Sequence, residues 1–113
     1  MIKVYGIKNC DSVKKALSFF KKNDLAYELQ DFKTEPVKCD KVSFWLKSVT
    51  LKQLFNARST TYRNLKLKEK NLSPEEQVEY LCQENLLIKR PVIEFNNTIT
   101  VGFNEDNFKG IFL

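Results

Sequence analysis

Three cysteines, Cys10, Cys39 and Cys82, and the complete absence of histidine define the redox and nucleophilic chemistry open to this 113-residue chain. Without histidine there is no Cys–His catalysis and little zinc chemistry, so a reactive thiol must be activated by backbone dipoles or by lysine and arginine. An odd number of cysteines at wide spacing gives neither a disulfide framework nor the paired CxxC of a zinc site, and no metal site is expected. Cys10 stands out. It falls where a short apolar segment gives way to a helical pattern, and the unpaired N–H groups of a helix start favour a thiolate there. Lys8 and Lys14 add positive charge and Asp11 opposes it. Cys82 lies on an apolar helical stripe and reads as core. Cys39, between Lys38 and Asp40, reads as accessible, but nothing in the pattern brings it to Cys10 as a resolving thiol.

The elements that must position Cys10 follow from the hydrophobic periodicity. Ile2 to Tyr5 reads as a strand stopped by Gly6, and Val13, Ala16, Leu17 and Phe20 form one stripe of a helix that ends near Asn23 and Asp24. Asn9 or Asp11 is expected to cap that helix. Tyr27 to Phe32 gives a second strand, parallel to the first across the helical crossover, so the chain opens with a βαβ unit. Cys10 then sits at the carboxyl edge of a sheet, where open α/β folds place their ligands. From Glu35 the pattern turns helical, with stripes at Val42, Trp45, Leu46 and Val49 and at Leu51, Leu54 and Phe55. Ser73-Pro74-Glu75-Glu76 opens a further helix that turns Val78, Leu81 and Cys82 inward. Ile88 to Phe95 and Thr98 to Val101 form a hairpin around Asn96-Asn97, and Asn104 caps a last helix carrying Phe108. A mixed four-stranded sheet with flanking helices satisfies this order, in one domain spanning 1–113.

Composition sets the outer limits. Hydrophobic residues at 42% and charged residues at 29% suit a globular domain that folds alone. No apolar run approaches the roughly 20 residues that span a bilayer, and the amino-terminal segment lacks the pattern of a signal peptide, so a cytoplasmic, membrane-free protein is expected. The net charge of +5 permits an anionic partner. Lys66-Leu67-Lys68-Glu69-Lys70 has no interleaved aromatic residues to stack on bases, and direct nucleic-acid binding is not expected.

Four blocks then occur in register: Tyr5-Gly6-Ile7-Lys8-Asn9-Cys10-Asp11-Ser12-Val13, Leu54-Phe55-Asn56-Ala57-Arg58-Ser59-Thr60-Thr61-Tyr62, Leu87-Ile88-Lys89-Arg90-Pro91-Val92-Ile93, and Val101-Gly102-Phe103. Together they resemble the arsenate reductase (ArsC)/Spx family, most closely its short YffB-like branch. The resemblance covers nearly the whole chain and implies a thioredoxin-like α/β fold with a helical insertion over about 35–86. It also implies a redox-active Cys10, a cis-proline at Pro91, and a substrate site drawing on Asn9, Arg58, Arg90 and Pro91. Thioredoxins carry a second cysteine three residues after the first, but this chain has Val13, so a local CxxC disulfide is excluded.

True arsenate reductases surround the oxyanion with an arginine trio. Arg90 matches one of these, Asn56 stands where the first would align, and Gly102 lies near the third. Arg58, two positions on from Asn56, could substitute for the first.

The expected function is a thiol-dependent oxidoreductase in which Cys10 forms mixed disulfides, with weak or no arsenate reductase activity. No bound cofactor is expected. Glutathione or thioredoxin would donate electrons, glutaredoxin would be a further partner, and the protein would be a monomer. The rival reading, drawn from the Spx branch, is a regulator that binds the RNA polymerase alpha subunit. Val13 and the end at Leu113 weaken that analogy.

Overall fold

The computed structural model describes residues 1–113, and their contacts divide the chain into two compact units, 1–34 with 90–113, and 35–89. The first unit holds the whole sheet. Its strands are β1 (Ile2–Gly6), β2 (Tyr27–Asp31), β3 (Val92–Phe95) and β4 (Thr98–Val101), in the order β2-β1-β3-β4. β1 pairs parallel with β2, with Ile2 opposite Tyr27 and Gly6 opposite Asp31, and antiparallel with β3, where Tyr5 faces Val92; β3 and β4 form the hairpin. The parallel pair is joined by α1 (Asp11–Lys22), the expected helical crossover, and α6 (Glu105–Phe112) closes the chain.

One face of the sheet is covered by aromatic packing. Ile2, Val4 and Ile93 meet Ala16, Phe19 and Phe20 of α1 and Phe108 and Phe112 of α6 in one buried cluster. Phe20 stacks on Phe108 at 5.7 Å between ring centroids and meets Phe112 edge to face at 5.0 Å, geometries that add to simple area burial. Phe19, off the stripe read from the sequence, is buried in this cluster, while Leu17 packs at its margin. At the hairpin, Asn96 and Asn97 both take positive φ, 47° and 61°, as a two-residue turn between twisted strands requires.

β3 begins later than its sequence suggests. The Arg90–Pro91 bond is cis, as expected, and the strand starts after it at Val92. Ile88 belongs instead to an isolated antiparallel bridge with Phe55.

The second unit, Glu35–Lys89, is helical and slightly longer than the expected insertion. It contains α2 (Cys39–Trp45), α3 (Leu51–Leu54), α4 (Thr60–Asn64) and α5 (Pro74–Gln83), with single 3₁₀ turns at Leu67–Lys70 and Asn85–Leu87. Thr50 and Ser73 form complete capping boxes with Gln53 and Glu76. The Glu76 carboxyl is held below the ordinary carboxylate range by the Ser73 backbone N–H and then by its hydroxyl. Val42, Trp45, Leu54, Leu81 and Ile88 have no exposed surface.

Two sequence readings are corrected here. Cys82 is not a free core thiol and Cys39 is not available to resolve Cys10, because the two are joined in a disulfide across 43 residues, with Cα atoms 4.8 Å apart. Such a crosslink stabilises by about 4 kcal/mol in the loop-entropy account. The pairing is not visible in the sequence because it is the packing of α2 on α5 that brings these two cysteines together.

Tyr5 gives the fold a specific pH response. Its Oη donates to Glu94 Oε1 at 3.0 Å. Burial, then that hydrogen bond, then the charges of Glu94 and Glu28 raise its ionisation far above the ordinary phenol value. The folded state therefore keeps this proton where the unfolded chain has lost it, so the contribution is complete below about pH 10 and falls as pH rises beyond it. Denaturant unfolding of the native chain and Tyr5→Phe between about pH 8 and about pH 11 should show a steeper alkaline loss in the native chain. Equal slopes would remove Tyr5 as the cause.

Candidate active site

The loop from β1 into α1 is built by short backbone ties. Phe32 N–H donates to Gly6 C=O at 2.8 Å, fastening the end of β1 to the exit of β2. Lys8 N–H donates to Asp31 Oδ2 at 3.2 Å, which fixes the loop that follows. Ile7 is buried, whereas Lys8 and Asn9 are exposed.

Cys10 itself is the N-cap residue of α1. It has extended backbone, φ −139° and ψ 125°, and its C=O accepts the first helical hydrogen bond from Lys14 N–H at 2.9 Å. Neither Asn9 nor Asp11 caps this helix, contrary to the sequence reading: the cap position carries no side-chain hydrogen bond. Asn9 Oδ1 instead accepts from Lys14 Nζ at 3.5 Å, and Asp11 is the first helical residue, where its charge suits the positive end of the helix. The Cys10 thiol is the one free cysteine, half-buried, at a helix start whose first N–H groups lack helical partners. A thiolate there can accept hydrogen bonds from backbone that no side chain already occupies.

Gly6, Val13 and Arg90 meet at the end of β1. A methyl group on Gly6 would lie 2.6 Å from Val13 Cγ2 and 3.8 Å from Arg90 Cβ. Val13, where a CxxC protein would have its second cysteine, is fully buried against this glycine. Arg90 is half-buried and Pro91 buried. The backbone of the pair is anchored by Gly102 N–H donating to Pro91 C=O at 2.8 Å. Arg90 and Pro91 thus lie at the end of β1, and the loop that follows β1 carries Asn9 and Cys10.

Gly102 sits at φ 83°, a left-handed conformation that favours glycine. Its position near the third arginine of the oxyanion trio is used here for a turn after β4.

Arg58 belongs to the second unit, 35–89. It is exposed, and Asn56 shapes its loop. Asn56 Oδ1 accepts from Arg58 N–H at 3.0 Å, Ser59 Oγ donates to Asn56 C=O at 3.0 Å, and the same Oγ caps α4 by accepting from Tyr62 N–H. Asn56 therefore acts as a turn former that presents Arg58. The flanking backbone is pinned by Asn56 N–H to Leu87 C=O and Lys89 N–H to Leu54 C=O, both 2.8 Å. Arg58 lines a groove of about 1030 Å³ within this unit, together with Phe55, Tyr62, Lys52, Lys68 and Lys89; every charged side chain on its walls is cationic. Sequence reading missed this groove. Its cations are scattered from position 52 to 89, and only the folding of four short helices collects them.

Residues 5–111 match the model of the ArsC family. An uncharacterised protein of Haemophilus influenzae is 36% identical over 113 residues, covering 99% of each chain. The global transcriptional regulator Spx of Listeria innocua is 28% identical over 112 residues, covering 96% of this chain and 85% of its own length. Among solved structures, a YffB protein superposes with a TM-score of 0.89 at 28% identity, covering 97% of both chains.

Proposed function

Because the chain belongs to the ArsC family, we propose that it is a single-cysteine thiol–disulfide oxidoreductase whose nucleophile is Cys10. The observation that carries this reading is the free, half-buried Cys10 held as the cap residue of α1, while Arg90 packs against Gly6 at the end of the preceding strand. The Cys10 thiolate attacks one sulfur of a disulfide RSSR′. A bond forms from Cys10 Sγ to the R-bearing sulfur while the RS–SR′ bond breaks, and R′S⁻ leaves and takes up a proton. A second thiol, from glutathione or a thioredoxin or glutaredoxin partner, then attacks the R sulfur and returns Cys10 as thiolate. No second cysteine stands one turn along α1 to complete the cycle internally, since that position is the buried Val13.

Arg90 recognises the anionic part of the substrate by charge-assisted hydrogen bonds, and Asn9 and Pro91 are the further substrate-binding residues of the proposal. Arg58 is the second guanidinium of the proposal, carried on the groove of the 35–89 unit. Arsenate reduction is weak or absent, because Asn56 is committed to its turn and Gly102 to a left-handed backbone, leaving two of the three arginine positions without a guanidinium.

Intact mass and peptide mapping after native incubation with oxidised glutathione test the proposal. The expected product is a glutathione adduct on the Cys10 peptide, lost in Cys10→Ser. Arg90→Gln should slow its formation at least about tenfold, from a charge-assisted bond of roughly 1.5–3 kcal/mol. A Cys10 that reacts only after denaturation would refute the reading.

A second reading, a regulator that binds the RNA polymerase alpha subunit, draws on the 28% identity to Spx. Capture of the purified alpha carboxy-terminal domain by Cys10→Ser, in the absence of any thiol exchange by the native chain, would favour it.

A further inference from the structure

We infer that the Cys39–Cys82 bond is a second thiol–disulfide exchange site, distinct from Cys10 and entered at Cys39 by small thiols. The two cysteines differ in exposure. Cys39 opens α2 and is exposed, as are Lys38 and Asp40 on either side. Cys82 is half-buried in α5, next to Leu81, which has no exposed surface. Thiol–disulfide exchange occurs at the sulfur that the incoming thiolate can reach, so it begins at Cys39.

The incoming thiolate RS⁻ bonds to Cys39 Sγ, the Cys39–Cys82 bond breaks, and Cys82 leaves as a thiolate that takes a proton from solvent. A second RS⁻ attacks the R sulfur, releasing RSSR and the Cys39 thiolate. Two small thiols are oxidised to one disulfide as the protein bond accepts two electrons.

This exchange does not require unfolding, because the bond is one of several ties in its neighbourhood. Val37 N–H, just before α2, donates to Asn85 Oδ1 at 2.7 Å, and Asn85 Nδ2 donates to Leu81 C=O at 3.0 Å. Val42 and Trp45 of α2 and Leu81 of α5 are all fully buried. Opening is therefore a local event of the kind native proteins undergo without global unfolding. Trp45, the chain's single tryptophan, ends the helix that Cys39 begins, so its emission reports whether α2 stays packed afterwards.

The test uses full-length Cys10→Ser, so that exchange at this pair is scored independently of Cys10. The native oxidised protein is incubated with reduced glutathione, quenched by alkylation at timed intervals and mapped by peptide mass, with Trp45 emission followed in parallel. The expected intermediate carries glutathione on Cys39 in at least about tenfold excess over Cys82, followed by alkylation of both thiols while Trp45 emission stays blue-shifted. Adding Cys82→Ser to this background should leave a Cys39 that reacts with oxidised glutathione at least about tenfold faster than the Cys82 left by adding Cys39→Ser. Should either double variant fail to fold by circular dichroism, the trapped intermediate decides alone. Equal adducts on the two sulfurs, opening only in denaturant, or two free thiols in the oxidised native protein would each overturn the inference. A native Cys10 that forms no glutathione adduct would refute the proposed function and leave this site standing.

Discussion

Cys10→Ser is expected to lower the rate of exchange with a small disulfide such as oxidised glutathione by at least about a thousandfold, while leaving the protein as stable as before or more stable. The loss follows from chemistry: a serine hydroxyl is not ionised near neutral pH and cannot form the mixed disulfide, and removing a covalent nucleophile commonly costs that much or more. The stability gain follows from position. Cys10 occupies the N-cap of α1 in extended conformation, yet its side chain makes no capping hydrogen bond. Serine is among the preferred N-cap residues and can accept from the N–H groups of the first turn, a contribution of about 0.5–2 kcal/mol relative to a non-capping side chain. The native chain would thus give up helix stability to keep a thiol where a cap belongs, a trade-off typical of functional sites. Cys10→Ala separates the two effects: equal loss of rate without the gain. The measurements are single-turnover kinetics with Cys10 reduced and the Cys39–Cys82 bond intact, and denaturant unfolding of all three proteins. A serine variant retaining a tenth of the native rate would remove Cys10 from the mechanism.

What the sequence disclosed follows from how far each signal reaches along the chain. The βαβ start and the hairpin were legible because period-two and period-3.6 patterns act within a few residues, and Asn96-Asn97 marks its own turn. Cys10 was legible as the junction between two such patterns, and Arg90 with Pro91 only through the resemblance to ArsC proteins. α4 carried no apolar stripe, since none of its residues is buried; the remaining signal was the cap residue Ser59, which holds Tyr62 N–H. The disulfide was illegible for a different reason. The stripes through Val42 and Trp45 and through Leu81 were each visible, but which stripe packs on which depends on the folding of the chain between two cysteines 43 positions apart. The same holds for the cationic groove around Arg58, collected from α3, the Asn56 turn, the first 3₁₀ segment and Lys89. Gly6 shows the limit most sharply: its sequence context says only that a strand ends, whereas its neighbours decide why no other residue fits.

Gly6→Ala should cost about 1–3 kcal/mol of stability and slow Cys10 chemistry at the same time. The added methyl would sit 2.6 Å from Val13 Cγ2, closer than packed carbons approach, so something has to move. Val13 cannot easily yield, because it is fully buried and a β-branched side chain in a helix has one strongly preferred rotamer. The backbone of β1 is held by Phe32 N–H on Gly6 C=O and by pairing with β2. The element left to shift is the first turn of α1, which carries Cys10. Arg90 Cβ, at 3.8 Å from the new methyl, would remain in ordinary contact, so the displacement changes the thiol's place relative to a guanidinium that stays where it was. Misplacement of this size can cost on the order of a hundredfold in rate. The cause is tested by a double-mutant cycle: Val13→Ala opens the space the methyl needs, so the pair Gly6→Ala with Val13→Ala should be more stable than the two single effects summed, by at least about 1 kcal/mol. Strict additivity would show that the glycine is required for some other reason, and a full native rate in Gly6→Ala would show that α1 does not carry the thiol with it.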